Sequence, residues 1–476
     1  KWGASPPHPP EYFRKEEDTR TSLVLPWARE PGSVRLMSRL SPPNPPGLRY
    51  RACLAGYAGL MRLALPLVWR YFRRRADGDP RYGLHLEERR GEGAPFRADV
   101  WVHAVSLGEM TSAEPLVRLL LDAGQRVVTT HATPAGRVRA ETAFAGDIAD
   151  GRLVVRNMPV DLPAFWDRFF TVTCPKVGLI MEMEFWPAMM EAARRAGVPL
   201  VLANSQVPGK SFPRARRIAA LLGGHPAARA ARVLAKSERM ADRFRALGAA
   251  DVQSVGETRF DIPPPSGQVA KGTALKDWLG DRPVLALASV VAGEEETYIE
   301  ALRALQTDAV PPFVIWVPRA PELFGTTADR LAEAGFRVAR RSEAISDDLE
   351  PVGNPAEADI LVGDTMGEMF FYLAAADAVV VGGGFVEKGA HNIIEPLALG
   401  KPVVTGPHVW TIEFPGVEAR EAGVLTVCDD PAALADVIRE VIGAGGAVAR
   451  AFHASHVGAS ARIMDHVRPV LEEEKE

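Results

Sequence analysis

The sequence predicts an α/β protein built from two doubly wound parallel sheets. Three observations point there. Apolar runs of strand length recur along the chain, amphipathic helical stretches separate them, and a proline-rich break, IPPPSG at 262–267, divides the alternation into two series. The first series reads DVWVHAV, QRVVTTH, KVGLIME, PLVLANS and ARVLAKS, with AEPLVRLLLDA, PAMMEAARRA and ERMADRFRALG as intervening helices. The second reads RPVLALAS, PFVIWVP, ADILVGD, DAVVVGGG and KPVVTG. Strands without polar alternation are covered on both faces, the mark of a parallel sheet flanked by helices. The stretch 449–475 reads as helical and can pack on either unit. In such folds ligands lie beyond the carboxyl ends of the strands, so loops that follow strands are where chemistry is expected.

The start of the chain is different. Residues 1–47 hold ten prolines and are expected to be disordered. The chain opens on Lys1, and Met37 offers an alternative translation start. Residues 52–69, ACLAGYAGLMRLALPLVW, are apolar apart from Arg62, and Arg70, Arg73, Arg74 and Arg75 follow. Segment 49–90 carries ten Arg against four acids, a net charge of +6 in a chain whose total is −4. Eighteen helical residues reach about 27 Å, just short of a hydrocarbon core. Arg62 is costly at bilayer depth, and Pro66 interrupts a spanning helix. No small-residue cleavage motif follows. An anchor or interfacial helix with a basic flank, meeting an anionic membrane surface on its cytoplasmic face, is expected over 48–76. The alternative is a core helix with a basic face.

The remaining composition excludes several classes. Of 476 residues, 47% are apolar and 24% charged, ordinary for a soluble globular chain. With a net charge of −4 there is no basic field for nucleic acid. Three scattered cysteines, Cys53, Cys174 and Cys428, support neither a disulfide framework nor a structural zinc site. The P-loop, zincin, nucleophile-elbow and CxxC motifs are absent, and His103, His131, His391 and His408 read as hydrogen-bonded loop residues rather than metal ligands. A metal-free mechanism is expected.

Five loops are candidates for chemistry. In HAVSLGEM, Ser106 and Glu109 form a capping box, while Gly108 leaves room for a ligand's close approach. In MEMEFWP, Glu182 and Glu184 share a face if the strand end is extended; one can cap the next helix, or the pair can raise one pKa or recruit a cation. In VPRAPE, Arg319 follows an apolar strand and suits phosphate or carboxylate, or a surface ion pair. In GDTMGEMF, Asp364 and Thr365 can cap a helix with Glu368 in its first turn. The segment 379–408, VVVGGGFVEKGAHNIIEPLALGKPVVTGPH, runs from a strand through three glycines to a short helix beginning near Asn392. Unpaired amides there suit an anion, and Glu395 can accept ribose hydroxyls. It is not the dinucleotide fingerprint.

Taken together, HAVSLGE, MEMEFWP, GETRFD, VPRAPE, GDTMGE and the glycine-rich segment resemble the lipid A Kdo (3-deoxy-D-manno-octulosonic acid) transferases, in family order from about residue 52 to 465. The resemblance implies a GT-B fold, two Rossmann-like domains facing a cleft with an N-terminal anchor helix. It implies an inverting transfer of Kdo from CMP-Kdo to a lipid A precursor, at the cytoplasmic face of the inner membrane and without a cofactor. It makes Glu109 the catalytic base, and gives transition-state stabilisation to Glu182 and to Arg259, which stands where the family has lysine. It assigns CMP binding to Pro318 and Arg319, to Met366, Gly367 and Glu368, and to Asn392, Ile393, Ile394 and Glu395. The implied division is a 1–47 extension, a 48–76 anchor, a 77–265 acceptor domain and a 266–476 CMP-sugar domain. Two loops depart further from the family pattern, Asn204–Pro208, where Gln206 replaces an arginine, and Ser289–Glu294, where Val291 replaces a histidine. A transferase for another nucleotide sugar, and a silent paralogue binding lipid A or a partner, fit the same residues.

Overall fold

The protein is described by a computed structural model covering residue 40 and residues 46–354 and 357–472. The expected disorder of 1–47 falls almost wholly outside these residues. The chain forms two compact units. One runs to Pro264 and resumes at Ala451; the other spans Pro265–Arg450. The passage between them falls inside the IPPPSG segment.

The N-terminal unit holds seven parallel strands. These are β1 (Val100–His103), β2 (Val127–His131), β3 (Leu153–Asn157), β4 (Val177–Met181), β5 (Leu200–Ser205), β6 (Arg232–Ala235) and β7 (Val252–Ser254), in the order β3-β2-β1-β4-β5-β6-β7. β1 sits where the winding reverses, paired to β2 through Val100–Val127 and to β4 through Val100–Val177. One sheet face packs Val100, Val102, Leu179 and Met181 against helix α2 (Leu107–Asp122) and against the C-terminal helix Ala459–Glu472, which contributes Ile463, Val467 and Leu471. The chain's end therefore belongs to this unit. The opposite face carries a cluster of Trp101, Trp166, Phe169 and Phe170. His103 and His131 close β1 and β2 as fully buried strand residues, not loop residues. Burial lowers them to about 3 and about 4, so both are neutral.

The apolar N-terminal segment forms α1 (Leu48–Gly78), the one described helix long and apolar enough to cross a membrane. It is not free of the unit. Tyr57 hydrogen-bonds Asp161, and Trp69 and Phe72 lie under the guanidinium groups of Arg90 and Arg89. Leu60, Leu63 and Leu67 on its other side are exposed.

The second unit repeats the plan. Its strands are β8 (Val284–Val290), β9 (Phe313–Pro318), β10 (Val338–Arg340), β11 (Ile360–Val362), β12 (Ala378–Val381), β13 (Val403–Thr405) and β14 (Leu425–Val427), all parallel, in the order β10-β11-β9-β8-β12-β13-β14. The core gathers Leu285, Leu287, Trp316, Ile360 and Val380 with Tyr298, Leu302 and Ile438 from flanking helices. Ten of the fourteen strands among the described residues coincide with the apolar runs read from the sequence. The four missed, β3, β7, β10 and β14, are the edges of the two sheets.

Candidate functional site

In the N-terminal unit the candidate residues lie at the carboxyl ends of β1, β4, β5 and β6 and just after β7. Glu109 sits in the first turn of α2. Its backbone N–H donates to Ser106 Oγ at 3.3 Å, and its Oε2 accepts from the N–H groups of Val105 at 2.5 Å and Ser106 at 3.1 Å. The capping box is complete, worth about 1 kcal/mol to the helix. The same carboxyl is also electrostatically abnormal. Burial, then the charges of Glu184 and Glu182, push it up to about 8, against two amide bonds that pull it down. A carboxylate near neutrality is poised to take a proton.

Glu182 follows β4 with a left-handed backbone, φ 55°, so strand alternation breaks there and Glu182 and Glu184 diverge. Neither caps the next helix. Asp161 does, accepting from Ala188 and Met189 N–H at 3.1 and 2.9 Å. Glu184 accepts from Trp186 Nε1 at 2.5 Å, and burial holds its carboxyl above the usual range. Glu182 receives Gln206 Nε2 at 3.0 Å, Arg259 Nη2 at 3.4 Å and Lys236 Nζ at 3.5 Å. Burial would raise it, but Lys236 and Arg259 outweigh burial and hold it below the usual range. Glu182 thus recruits cations, while Glu184 shifts upward chiefly through burial, with the Glu182 charge a lesser cause. Arg259 also reaches over the opening turn of α2, since a Cβ on Gly108 would stand 3.6 Å from its Nη2. The structure therefore draws Glu109, Glu182 and Arg259 together.

Three residues of this cluster escaped the sequence reading. Lys236, after β6, ion-pairs Glu257 at 2.9 Å, and each is 2% exposed. Asn204, at φ 52°, donates to Glu257 at 3.4 Å and accepts from Thr258 N–H at 3.1 Å. A charged residue directly after an apolar strand, as in ARVLAKS, was the available signal.

In the second unit, Pro318 ends β9 buried and Arg319 is exposed beyond it; the Arg319 N–H donates to Val290 O at 2.8 Å. Among the described residues no ion pair engages its guanidinium, so the surface-pair alternative fails. Its charge, after burial, helps depress His391 to about 4, so Arg319 lies within electrostatic reach of His391. Glu368 is not a first-turn acid. It is the N-cap residue of the helix Met369–Ala375, and its carboxylate is committed to Arg341, which binds it through Nε and Nη2 at 2.7 Å each, and to Thr365 and Tyr372. Asp364 does not cap either; it takes the N–H and hydroxyl of Ser342 at 2.8 and 2.6 Å. Met366 and Gly367, at φ 87°, form the exposed turn before Glu368.

Amides of the glycine loop are in part committed within the protein. Gly383 N–H donates to the Glu294 carboxylate at 2.8 Å and Phe385 N–H at 3.0 Å, and Glu294 is 0% exposed. Gly383 has φ 90°, and a Cβ on Gly384 would strike Thr405 Oγ1. The helix beyond is one turn, Ile394–Ala398, and Asn392 Oδ1 already accepts from Ile394 N–H at 2.9 Å. Ile393 and Ile394 are buried, which leaves their backbone rather than their side chains for a ligand. Glu395 lies in that turn. Among the described residues no group of three or more His, Cys, Asp or Glu is placed to hold a metal ion.

A family described as 3-deoxy-D-manno-octulosonic-acid transferase (kdotransferase) matches residues 80–262. A 3-deoxy-D-manno-octulosonic acid transferase of Bordetella pertussis is 37% identical over 427 residues, 86% of this chain and 97% of the relative. That of Haemophilus influenzae is 30% identical over 434 residues, 87% of this chain and 98% of the relative. Among solved structures, a glycosyltransferase from Rickettsia africae superposes with a TM-score of 0.53 at 10% identity, covering 79% of this chain and 99% of that one, a likeness of fold. On the Bordetella and Haemophilus identities, the chain belongs to the family of 3-deoxy-D-manno-octulosonic acid transferases.

Proposed function

We propose that the chain transfers Kdo from CMP-Kdo to a lipid A precursor in lipopolysaccharide synthesis, inverting the anomeric centre. The observation that carries the reading is the paired state of two acids at one strand-end cluster: Glu109 held near neutrality and Glu182 held ionised. An acceptor hydroxyl attacks the anomeric carbon of Kdo as its bond to the CMP phosphate breaks. The bonding pair leaves with phosphate, and the hydroxyl proton goes to the Glu109 carboxylate, a contribution of about 10²–10⁴-fold. Positive charge developing on the sugar ring is met by ionised Glu182. Arg259 balances that acid and supplies a cation at the same cluster.

The second unit holds the donor. Arg319 has an exposed, uncommitted guanidinium and takes the CMP phosphate, so the reading requires no metal. Pro318, the Met366–Glu368 turn and the Asn392–Glu395 segment frame the nucleotide through their backbone. With its carboxylate committed to Arg341, Glu368 shapes its turn rather than reaching for ligand.

The exposed Leu60, Leu63 and Leu67 of α1, beside Arg70, Arg73 and Arg74, support association with an anionic membrane surface, where the acceptor resides. Since α1 also packs on its own unit, the reading is a helix lying in the interface. The test is the purified chain with CMP-Kdo and a tetraacylated lipid A precursor, products read by mass. The expected result is acceptor heavier by one or more Kdo residues, with release of CMP. Binding of CMP-Kdo without transfer would favour a silent paralogue and overturn the reading.

A further inference from the structure

The geometry points to Lys236 as a positioning residue for the transfer reaction, one that fixes Glu182 as an anion in its place. The inference rests on the reading of Glu182 given above. Lys236 is held at the end of β6 by its own backbone, whose N–H donates to Ser205 O at 2.9 Å. Its side chain is 2% exposed, so water cannot solvate the ammonium and carboxylates must. Two do so: Glu257 at 2.9 Å and Glu182 at 3.5 Å.

Glu257 is itself 2% exposed and receives Asn204 Nδ2, with Arg259 Nε at 3.8 Å, so Lys236 and Glu257 already form a buried neutral pair. The ammonium nonetheless reaches a second acid with its remaining donors. On that acid it is the more buried of two cations, because Arg259 is 31% exposed. Gln206, the third contact, brings a hydrogen bond but no charge. Charges interact more strongly where water is excluded, so Lys236 is the ion best placed to keep Glu182 ionised. Glu257 in turn keeps Lys236 aimed. The relay Glu257–Lys236–Glu182–Arg259 draws its members from the ends of β4 and β6 and from the loop after β7.

The test compares Lys236→Met, Glu182→Gln, the double variant Lys236→Met/Glu182→Gln, and Lys236→Met/Glu257→Gln, each in the full chain with CMP-Kdo and lipid acceptor in detergent. The last variant removes the buried pair together, so its fold survives if that of Lys236→Met does not. Loss of an electrostatic stabiliser predicts kcat down by ~10²-fold in Lys236→Met, with KM for CMP-Kdo within about threefold. If Lys236 acts through Glu182, the Lys236/Glu182 double variant is no slower than Glu182→Gln alone. Lys236→Met/Glu257→Gln regains thermal stability but not kcat. Two results overturn the proposal while leaving Glu182 in its role: multiplicative losses in the Lys236/Glu182 cycle, or wild-type kcat in Lys236→Met/Glu257→Gln. Wild-type turnover in Glu182→Gln overturns the underlying reading as well.

Discussion

Replacing Glu109 with glutamine separates its two duties. Both backbone N–H groups that bind its carboxyl, those of Val105 and Ser106, donate to one oxygen, Oε2, and an amide oxygen can stand in its place. Helix α2 should therefore keep its start. Chemistry should not survive, because an amide cannot take the acceptor proton; the expected loss is ~10²-fold or more in kcat. The pH dependence adds a second signature. With the carboxyl pushed from 4.5 to about 8, only about a tenth of it is ionised at pH 7, so wild-type kcat should climb about tenfold per pH unit below pH 7, reach half its maximum near pH 8 and level above it. Stability should move the other way. A carboxyl whose folded pKa is raised holds its proton when folded and loses it when unfolded, between pH 4.5 and about 8. Across that window the wild type should lose roughly 1.4 kcal/mol per pH unit relative to the glutamine variant, and nothing further above it. Steady-state assays from pH 6 to 9.5, with urea unfolding of both proteins at pH 5.5 and 8, read both effects. Near-normal turnover in the variant, or parallel stability profiles, would leave Glu109 as a helix cap only.

Four further outcomes are expected. Glu184→Gln removes the largest charge contribution to Glu109, so the midpoint of the pH–rate profile should fall below 8; an unmoved midpoint contradicts the coupling. Arg319→Ala should weaken CMP binding by about 1.5–3 kcal/mol in calorimetry, with little change in melting temperature because the side chain is exposed. Arg341→Met should destabilise the protein by about 3–5 kcal/mol in urea unfolding, since it strands the Glu368 carboxylate. Leu60→Gln, Leu63→Gln and Leu67→Gln combined should abolish flotation with anionic vesicles while leaving CMP binding intact, because these side chains do not face the unit.

Interior strands were legible in the sequence because burial on both sides demands a continuous apolar run. Edge strands have one neighbour and tolerate polar residues, so β3 ends on Arg156 and Asn157, β7 is Val-Gln-Ser and β10 closes on Arg340. The same asymmetry governs the site. Glu109 could be read locally, since Ser106 lies three residues before it. The partners of Glu182 could not, because Gln206, Lys236 and Arg259 follow three different strands and meet only when the sheet forms. Arg341 is opaque for a similar reason: nothing near it in sequence announces a buried bond to Glu368.

The commitment of the glycine loop to Glu294 bears on how relatives of this chain should be sorted. A run of glycines after a strand is commonly taken as the trace of a phosphate cradle. Here the run is an internal brace: backbone packs where no side chain fits, around a carboxylate supplied by the chain itself. Selection for folding alone would preserve it, even in a descendant that had ceased to bind any nucleotide. Retention of Gly382–Gly384 can therefore be required by this packing as well as by a ligand. The position to compare is Arg319, whose exposed guanidinium makes no ion pair among the described residues, so packing alone does not require it.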